Sequence, residues 1–180
     1  MPTAGLVASR LGHPPTAGPP LSPHRSGQYK DGYVRAVVQR VKRAQVTVEG
    51  RVVGRIGVGM VVLLGVAADD TQADARELAA RIVRMRIFAD AAGKMNLDLA
   101  AVGGQLLVVS QFTLLADTTS GRRPSFAAAA PPERARELYR CFLSLCREAG
   151  IKTEEGEFGA RMEVELVNDG PVTFVLDSRR

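Results

Sequence analysis

Met60-Val61-Val62-Leu63-Leu64-Gly65-Val66-Ala67 is an almost unbroken apolar run. It is far shorter than the ~20 residues a membrane-spanning helix needs. Gly59 precedes it and Asp69-Asp70-Thr71 follows, so it reads as a strand buried on both faces at the centre of a sheet. Residues 105–112, from Gln105 to Phe112, form a second strand of the same kind. Between them lies a helix that begins after Asp69-Asp70, where Thr71 and Asp74 have the spacing of a capping box. Its apolar positions Ala75, Leu78, Ala79, Ile82 and Met85 mark a buried face, with arginines on the wet side.

Outward from this centre, residues 35–41 and 45–49 read as strands, and Val46 and Val48 alternate with Thr47 and Glu49. Glu49-Gly50-Arg51 is a turn into a third strand at 52–58. Residues 89–98 are a loop, and residues 117–130 a long irregular connection. Pro131-Pro132 opens a second helix, since proline suits a first turn. Its core stripe is Leu138, Phe142, Leu145 and Ala149, and Gly150 ends it. Strands at 162–168 and 172–177 close the chain, joined through Asp169-Gly170-Pro171. The expected architecture is α+β: a single domain with a strongly curved, barrel-like mixed β-sheet and two packed α-helices, spanning residues 34–180.

Residues 1–33 differ. Six of the ten prolines fall there, without hydrophobic periodicity, so the segment is expected to be disordered. It lacks the apolar stretch of a secretory signal. A transit peptide, a functional tail and a misplaced start all remain open, the last because Val34 directly precedes the first strand and GUG also initiates translation.

Composition narrows the chemistry. The only histidines, His13 and His24, lie in that first segment. A Ser–His–Asp or Cys–His arrangement in the body is thereby excluded, and so is a histidine-ligated metal. Cys141 and Cys146 are too few and too poorly spaced for a disulfide framework or a zinc site, and read as reduced packing residues. The net charge of +5 permits a polyanionic partner. Arginine outnumbers lysine twenty to four, which fits either a GC-rich genome or a phosphate-reading surface.

Two segments stand out. Ser110-Gln111-Phe112-Thr113-Leu114 ends the second apolar strand with three hydrogen-bonding side chains in four residues. Such groups need partners or a ligand unless the strand simply emerges into solvent there. Strand alternation would put Gln111 and Thr113 on one face and Ser110 and Phe112 on the other. The second segment is Asn168-Asp169-Gly170-Pro171-Val172-Thr173. It reads either as a plain turn or, should Gly170-Pro171 be cis, as a wall of backbone carbonyls.

These segments, taken with residues 35–41, Gly93-Lys94-Met95-Asn96 and Arg123-Pro124-Ser125-Phe126, closely resemble the D-aminoacyl-tRNA deacylases. The likeness is collinear from Val34 nearly to the C-terminus, and the family's chains begin near Val34. The resemblance implies a proofreading ester hydrolase. A body without histidine and with ill-spaced cysteines predicts no cofactor or metal, and the reduced cysteines a reducing compartment, the cytoplasm. The resemblance also implies a homodimer with active sites at the interface, no membrane association, and aminoacyl-tRNA as substrate. Ser110, Gln111, Phe112 and Thr113 would line the catalytic pocket. Gly170 and Pro171 would form a Gly-cisPro element that rejects L-amino acids in the partner's pocket. Arg40 would brace it, with Met95, Asn96, Phe126 and Asn168 in supporting positions.

The implied mechanism suits a body without histidine. A ribose hydroxyl of the tRNA helps the attacking water, while backbone N–H groups near Phe112 and Thr113 stabilise the oxyanion. Thr113 as a covalent nucleophile is the alternative, but no base is visible to activate it. A wall of backbone excludes L side chains without reading their identity, so glycyl-tRNA would slip through. The rival classes are a non-catalytic RNA-binding module and an assembly subunit. The body lacks an RNA-recognition signature and is poor in aromatics, and an assembly role leaves the polar cluster at 110–113 unexplained.

Overall fold

The computed structural model describes residues 34–119 and 121–178, which belong to one compact unit. The expectation for residues 1–33 lies outside the described residues. In chain order the elements are β1 (Arg35–Val48), β2 (Arg51–Ile56), β3 (Gly59–Gly65), α1 (Gln72–Val83), β4 (Phe88–Ala89), β5 (Met95–Leu97), β6 (Gln105–Ser110), a 3-10 turn (Phe112–Leu115), α2 (Pro132–Glu148), β7 (Thr153–Glu155) and β8 (Glu163–Asp177).

The two apolar runs are neighbours. β3 and β6 pair in parallel, with Val62 opposite Val108 and Leu64 opposite Ser110. β7 continues the parallel set on the far side of β6. Parallel neighbours need a crossover, and α1 and α2 supply the two crossovers. Both helices cover one face of the sheet, where Met60, Val62, Leu64, Leu106 and Val108 meet Leu78, Ile82, Phe142 and Leu143. The Tyr139 hydroxyl is buried beneath α2 and donates to the Val108 carbonyl at 2.9 Å.

The opposite face of the same strands is also dry. Val61, Leu107 and Val109 pack there against Val41, Ala44, Val46 and Ile56, because β1 and β2 curl over them. β1 is antiparallel to β2 and β3 along one edge and to β8 along its length. The result is the expected mixed, barrel-like sheet with two helices packed on it.

The structure departs from the sequence expectation in several places. β1 is one strand rather than two: β8 supplies a partner that resumes the ladder past Lys42, at Arg43 opposite Val167, with irregularities on either side of Val41. Such bulges bend a strand and change which residues face inward. Here the buried positions pass from Ala36 and Val38 beneath the helices to Val41, Ala44 and Val46 inside the curl. The segments 162–168 and 172–177 are likewise one strand, β8. The short strands β4, β5 and β7 carry too few residues to show a period. In α2 the buried stripe is Leu138, Tyr139, Phe142, Leu143 and Cys146, while Leu145 is half-buried and Ala149 exposed. The Thr71–Asp74 capping box is present.

Candidate active site

β6 stops at Ser110 because its partner β3 ends one residue past Leu64. Gln111 N–H still donates to the Leu64 carbonyl at 2.7 Å, and the chain then tightens into the 3-10 turn. Gly65 lets the turn lie directly on β3: a Cβ there would stand 2.9 Å from the Gln111 carbonyl oxygen and 3.2 Å from Leu114 Cβ. Leu115 is buried and anchors the turn, whereas Phe112 is 57% exposed. The Gln111 amide donates to the Thr113 hydroxyl. Phe112 meets Phe126 edge-on, with ring centroids 5.0 Å apart.

Ser110, Gln111, Phe112, Thr113 and Phe126 are thus brought together, but not by strand alternation. The 3-10 turn presents Phe112 and Thr113 side by side on the surface. The N–H groups of Phe112 and Thr113 open that turn and so have no carbonyl within it to meet. The neighbouring hairpin closes through paired backbone bonds between Asp117 and Ser125, both 2.8 Å. The Thr119 backbone N–H and then its hydroxyl hold the Asp117 carboxyl below its ordinary pKa.

The second segment is a bulge on β8. Gln39 pairs with Thr173 and Val41 with Asn168, so two steps along β1 span five along β8. The slack projects as Asp169-Gly170-Pro171, with Gly170 and Pro171 exposed and the bond between them cis, while Val172 turns back into the core. A Cβ at Gly170 would stand 2.5 Å from the Asn168 side-chain nitrogen, the movable end of an exposed side chain. Arg40, the β1 residue beneath the bulge, clamps it. Its Nε lies 2.9 Å from the Asp169 carboxylate and 3.1 Å from the Asp169 carbonyl. Its Nη1 donates to the Ile87 carbonyl. Gln39 adds amide bonds to Asn168 (3.3 Å) and to the Thr173 hydroxyl (3.4 Å).

The Ile87 contact ties the bulge to the β4–β5 hairpin. Arg86 holds that hairpin through the Asn96 carbonyl at 2.6 Å and the Asn96 side chain, and Met95 is 54% exposed at its edge. Arg40, Met95, Asn96, Asn168, Gly170 and Pro171 therefore belong to one connected region.

The two regions do not meet within one chain along the sheet. Ser110 is opposite Leu64, Leu64 opposite Ala36, and Ala36 opposite Leu176, whereas Asn168 sits opposite Val41. From Ala36 to Val41 is ~17 Å of strand, and β6 to β8 is three strand spacings, ~14 Å. Sequence reasoning missed Arg35, Gly65 and the Ile87 carbonyl, which position these regions. Their contacts join residues far apart in the chain, and no local pattern marks them. A groove lined by Arg43, Gln45, Arg55, Glu165 and Leu166 includes no residue of either region.

Thr113 is poorly placed to be a nucleophile. Its hydroxyl accepts from the Gln111 amide, which cannot take up a proton. Among the described residues no group of three or more His, Cys, Asp or Glu side chains could share a metal ion. No described helix is long and apolar enough to cross a membrane. What the first region offers is main-chain N–H groups, an amide, a hydroxyl and two aromatic rings on a buried strand end. That set can hold and polarise a carbonyl and stack a base.

A family model described as D-Tyr-tRNA(Tyr) deacylase matches residues 37–177. The D-aminoacyl-tRNA deacylase of Anaeromyxobacter dehalogenans is 60% identical over 147 residues, covering 82% of this chain and 99% of that protein. That of Thermosipho africanus is 54% identical with the same coverage. Among solved structures, the c-Myc DNA Unwinding Element Binding Protein aligns with a TM-score of 0.74 at 40% identity, over 79% of this chain and 97% of that one. A probable eukaryotic D-amino acid tRNA deacylase aligns with a TM-score of 0.72 over 81% and 99%; at 19% identity it speaks to the fold alone.

Proposed function

The chain belongs to the D-Tyr-tRNA(Tyr) deacylase family, and we propose that it acts as a D-aminoacyl-tRNA deacylase by a tRNA-assisted mechanism. Water attacks the ester carbonyl carbon, the bond to the ribose oxygen breaks, and that oxygen leaves with a proton as tRNA while the free D-amino acid departs. The observation that carries the reading is the turn after Gln111, with Phe112 and Thr113 exposed at the end of a strand whose inner residues Leu106 to Val109 are buried. The Phe112 and Thr113 N–H groups stabilise the oxyanion, Phe112 and Phe126 receive the terminal base, and a neighbouring ribose hydroxyl assists the water.

Selection against L-aminoacyl-tRNA falls to the β8 bulge. Its main chain, with Gly170 at the tip, forms a wall that an L side chain strikes and a D side chain avoids. Glycine strikes nothing, so glycyl-tRNA is a substrate as well. The separation of bulge and turn within one chain favours a homodimer in which each wall closes the partner's pocket. The enzyme would act in the cytoplasm, where aminoacyl-tRNAs are used, with residues 34–180 as the active domain.

Release of tyrosine from D- and L-tyrosyl-tRNA is the test. Rapid hydrolysis of the D ester with the L ester spared is expected. Equal hydrolysis of both would remove the wall from the account. A second reading, nucleic-acid binding without catalysis, draws on the 40%-identical protein described as binding a DNA element. Tight tRNA binding with no release of D-tyrosine would favour it.

A further inference from the structure

Arg35 touches the proposed catalytic turn and the end of β8 at once. It lies between two strands in register, opposite Gly65 of β3 on one side and Asp177 of β8 on the other. Its Nε lies 3.0 Å from Asp177 Oδ1, and its Nη1 donates to the Leu114 carbonyl at 2.8 Å. The guanidinium fork makes this possible, because two N–H groups on one rigid plane can hold two acceptors in fixed relation.

Asp177 is itself well fixed. Its carboxylate is only 9% exposed. Its carbonyl accepts from Arg81 Nη1 at 2.8 Å, and Ser178 reaches both the Val34 carbonyl (3.1 Å) and the Asp74 carboxylate (3.3 Å). The end of β8 is thereby tied to α1. The Leu114 carbonyl, in contrast, has no continuing helix to accept from. The Ala116 N–H goes to Thr113 and the Asp117 N–H to Ser125. A carbonyl at the end of a short helical turn needs an outside donor, and a cation suits it.

We propose that Arg35 is a positioning residue: through the Leu114 carbonyl it sets the angle at which the turn presents the Phe112 and Thr113 N–H groups. This rests on the reading of that turn as the oxyanion site. Gly65 sets how close the turn lies to β3, and Arg35 sets its tilt. Neither residue touches substrate.

The test uses the full chain and three variants. Arg35→Met keeps the aliphatic stem and removes both bonds. Hydrogen exchange in segment 111–116 should accelerate while β3 and β6 stay protected. kcat for D-tyrosyl-tRNA should fall about ten- to a hundredfold with KM little changed. Arg35→Lys, which can reach one acceptor but not both, should recover part of kcat. Asp177→Asn, which keeps an oxygen acceptor without the charge, should shift both readouts less, in the same direction.

Unchanged exchange in 111–116 together with unchanged kcat would overturn the proposal. So would a raised KM at constant kcat, which would make Arg35 a contact for tRNA. If Arg35→Met loses protection throughout, Asp177→Asn decides, and unchanged exchange and kcat there would be the overturning result. If the native protein hydrolyses no D-tyrosyl-tRNA, the exchange measurements still decide whether Arg35 holds the turn, and the failure belongs to the assigned activity instead.

Discussion

Replacing Arg40 with alanine tests whether the β8 bulge selects substrate or merely decorates the sheet. The side chain is 13% exposed, and its guanidinium serves both the Ile87 carbonyl and Asp169. A hydrogen bond from a charged donor is worth ~1.5–3 kcal/mol, and Ile87 is buried, so its carbonyl would lose that in full. The Asp169 carboxylate is 40% exposed. Solvent screening reduces its share to ~0.5–1 kcal/mol. The expected cost is therefore ~2–4 kcal/mol in urea unfolding, or a Tm lowered by roughly 5–15 °C. The same energy holds Asp169-Gly170-Pro171 against the strand, and it sets a ceiling on the selectivity that can be lost. At 1.4 kcal/mol per tenfold, hydrolysis of L-tyrosyl-tRNA relative to D should rise by at most about 30- to 700-fold. Arg40→Lys should restore little, because one ammonium cannot meet both acceptors. The assay is release of labelled tyrosine from both charged tRNAs at a temperature where the variant is folded. Stability lowered as expected with an unchanged D-to-L ratio would refute the argument, leaving Arg40 a structural residue and the wall elsewhere.

Three further outcomes are expected. Gly65→Ala puts a Cβ 2.9 Å from the Gln111 carbonyl, so it should cost ~1–3 kcal/mol of stability and lower kcat more than KM; an unchanged kcat would show that the turn tolerates displacement. Thr113→Ala should keep hydrolysis within about tenfold, whereas tRNA whose terminal adenosine lacks the free vicinal hydroxyl should react about a hundredfold more slowly; a trapped acyl-Thr113 would contradict both. Burial pushes the Cys146 thiol up to about 12, so at pH 8 iodoacetamide should label the half-buried Cys141 first and reach Cys146 only on unfolding. Equal labelling of both in the native protein, read by peptide mapping, would count against that burial.

The candidate site was partly legible because its oddity is local. Ser110, Gln111 and Thr113 follow directly on Leu107-Val108-Val109, and polar groups at the end of a buried strand are visible without a fold. Their geometry was not legible. Alternation paired Gln111 with Thr113 by continuing the strand, yet they meet because a 3-10 turn brings the Gln111 amide onto the Thr113 hydroxyl. The turn forms because β3 ends at Gly65 and leaves the residues after Gln111 no strand to pair with, a fact about a neighbouring strand.

By itself the sequence determined what depends on neighbours along the chain. The apolar runs at 60–67 and 105–112 read as central strands, because their inner stretches, Met60 to Leu64 and Leu106 to Val109, are unbroken hydrophobic residues. The Thr71–Asp74 cap and the Pro131-Pro132 opening placed both helices, since capping is a matter of adjacent backbone groups. The tertiary structure alone decided the length of β1, the unity of β8 and the bulge at its middle. Each rests on pairing such as Gln39 with Thr173 and Val41 with Asn168, residues more than a hundred positions apart whose register no local period encodes. It also decided which face of α2 is buried, putting Tyr139, Leu143 and Cys146 inward where the stripe alone had placed Leu145 and Ala149. A helix of mixed periodicity takes its orientation from the sheet it lands on, and the hydroxyl of Tyr139 finds the Val108 carbonyl only once that sheet is assembled.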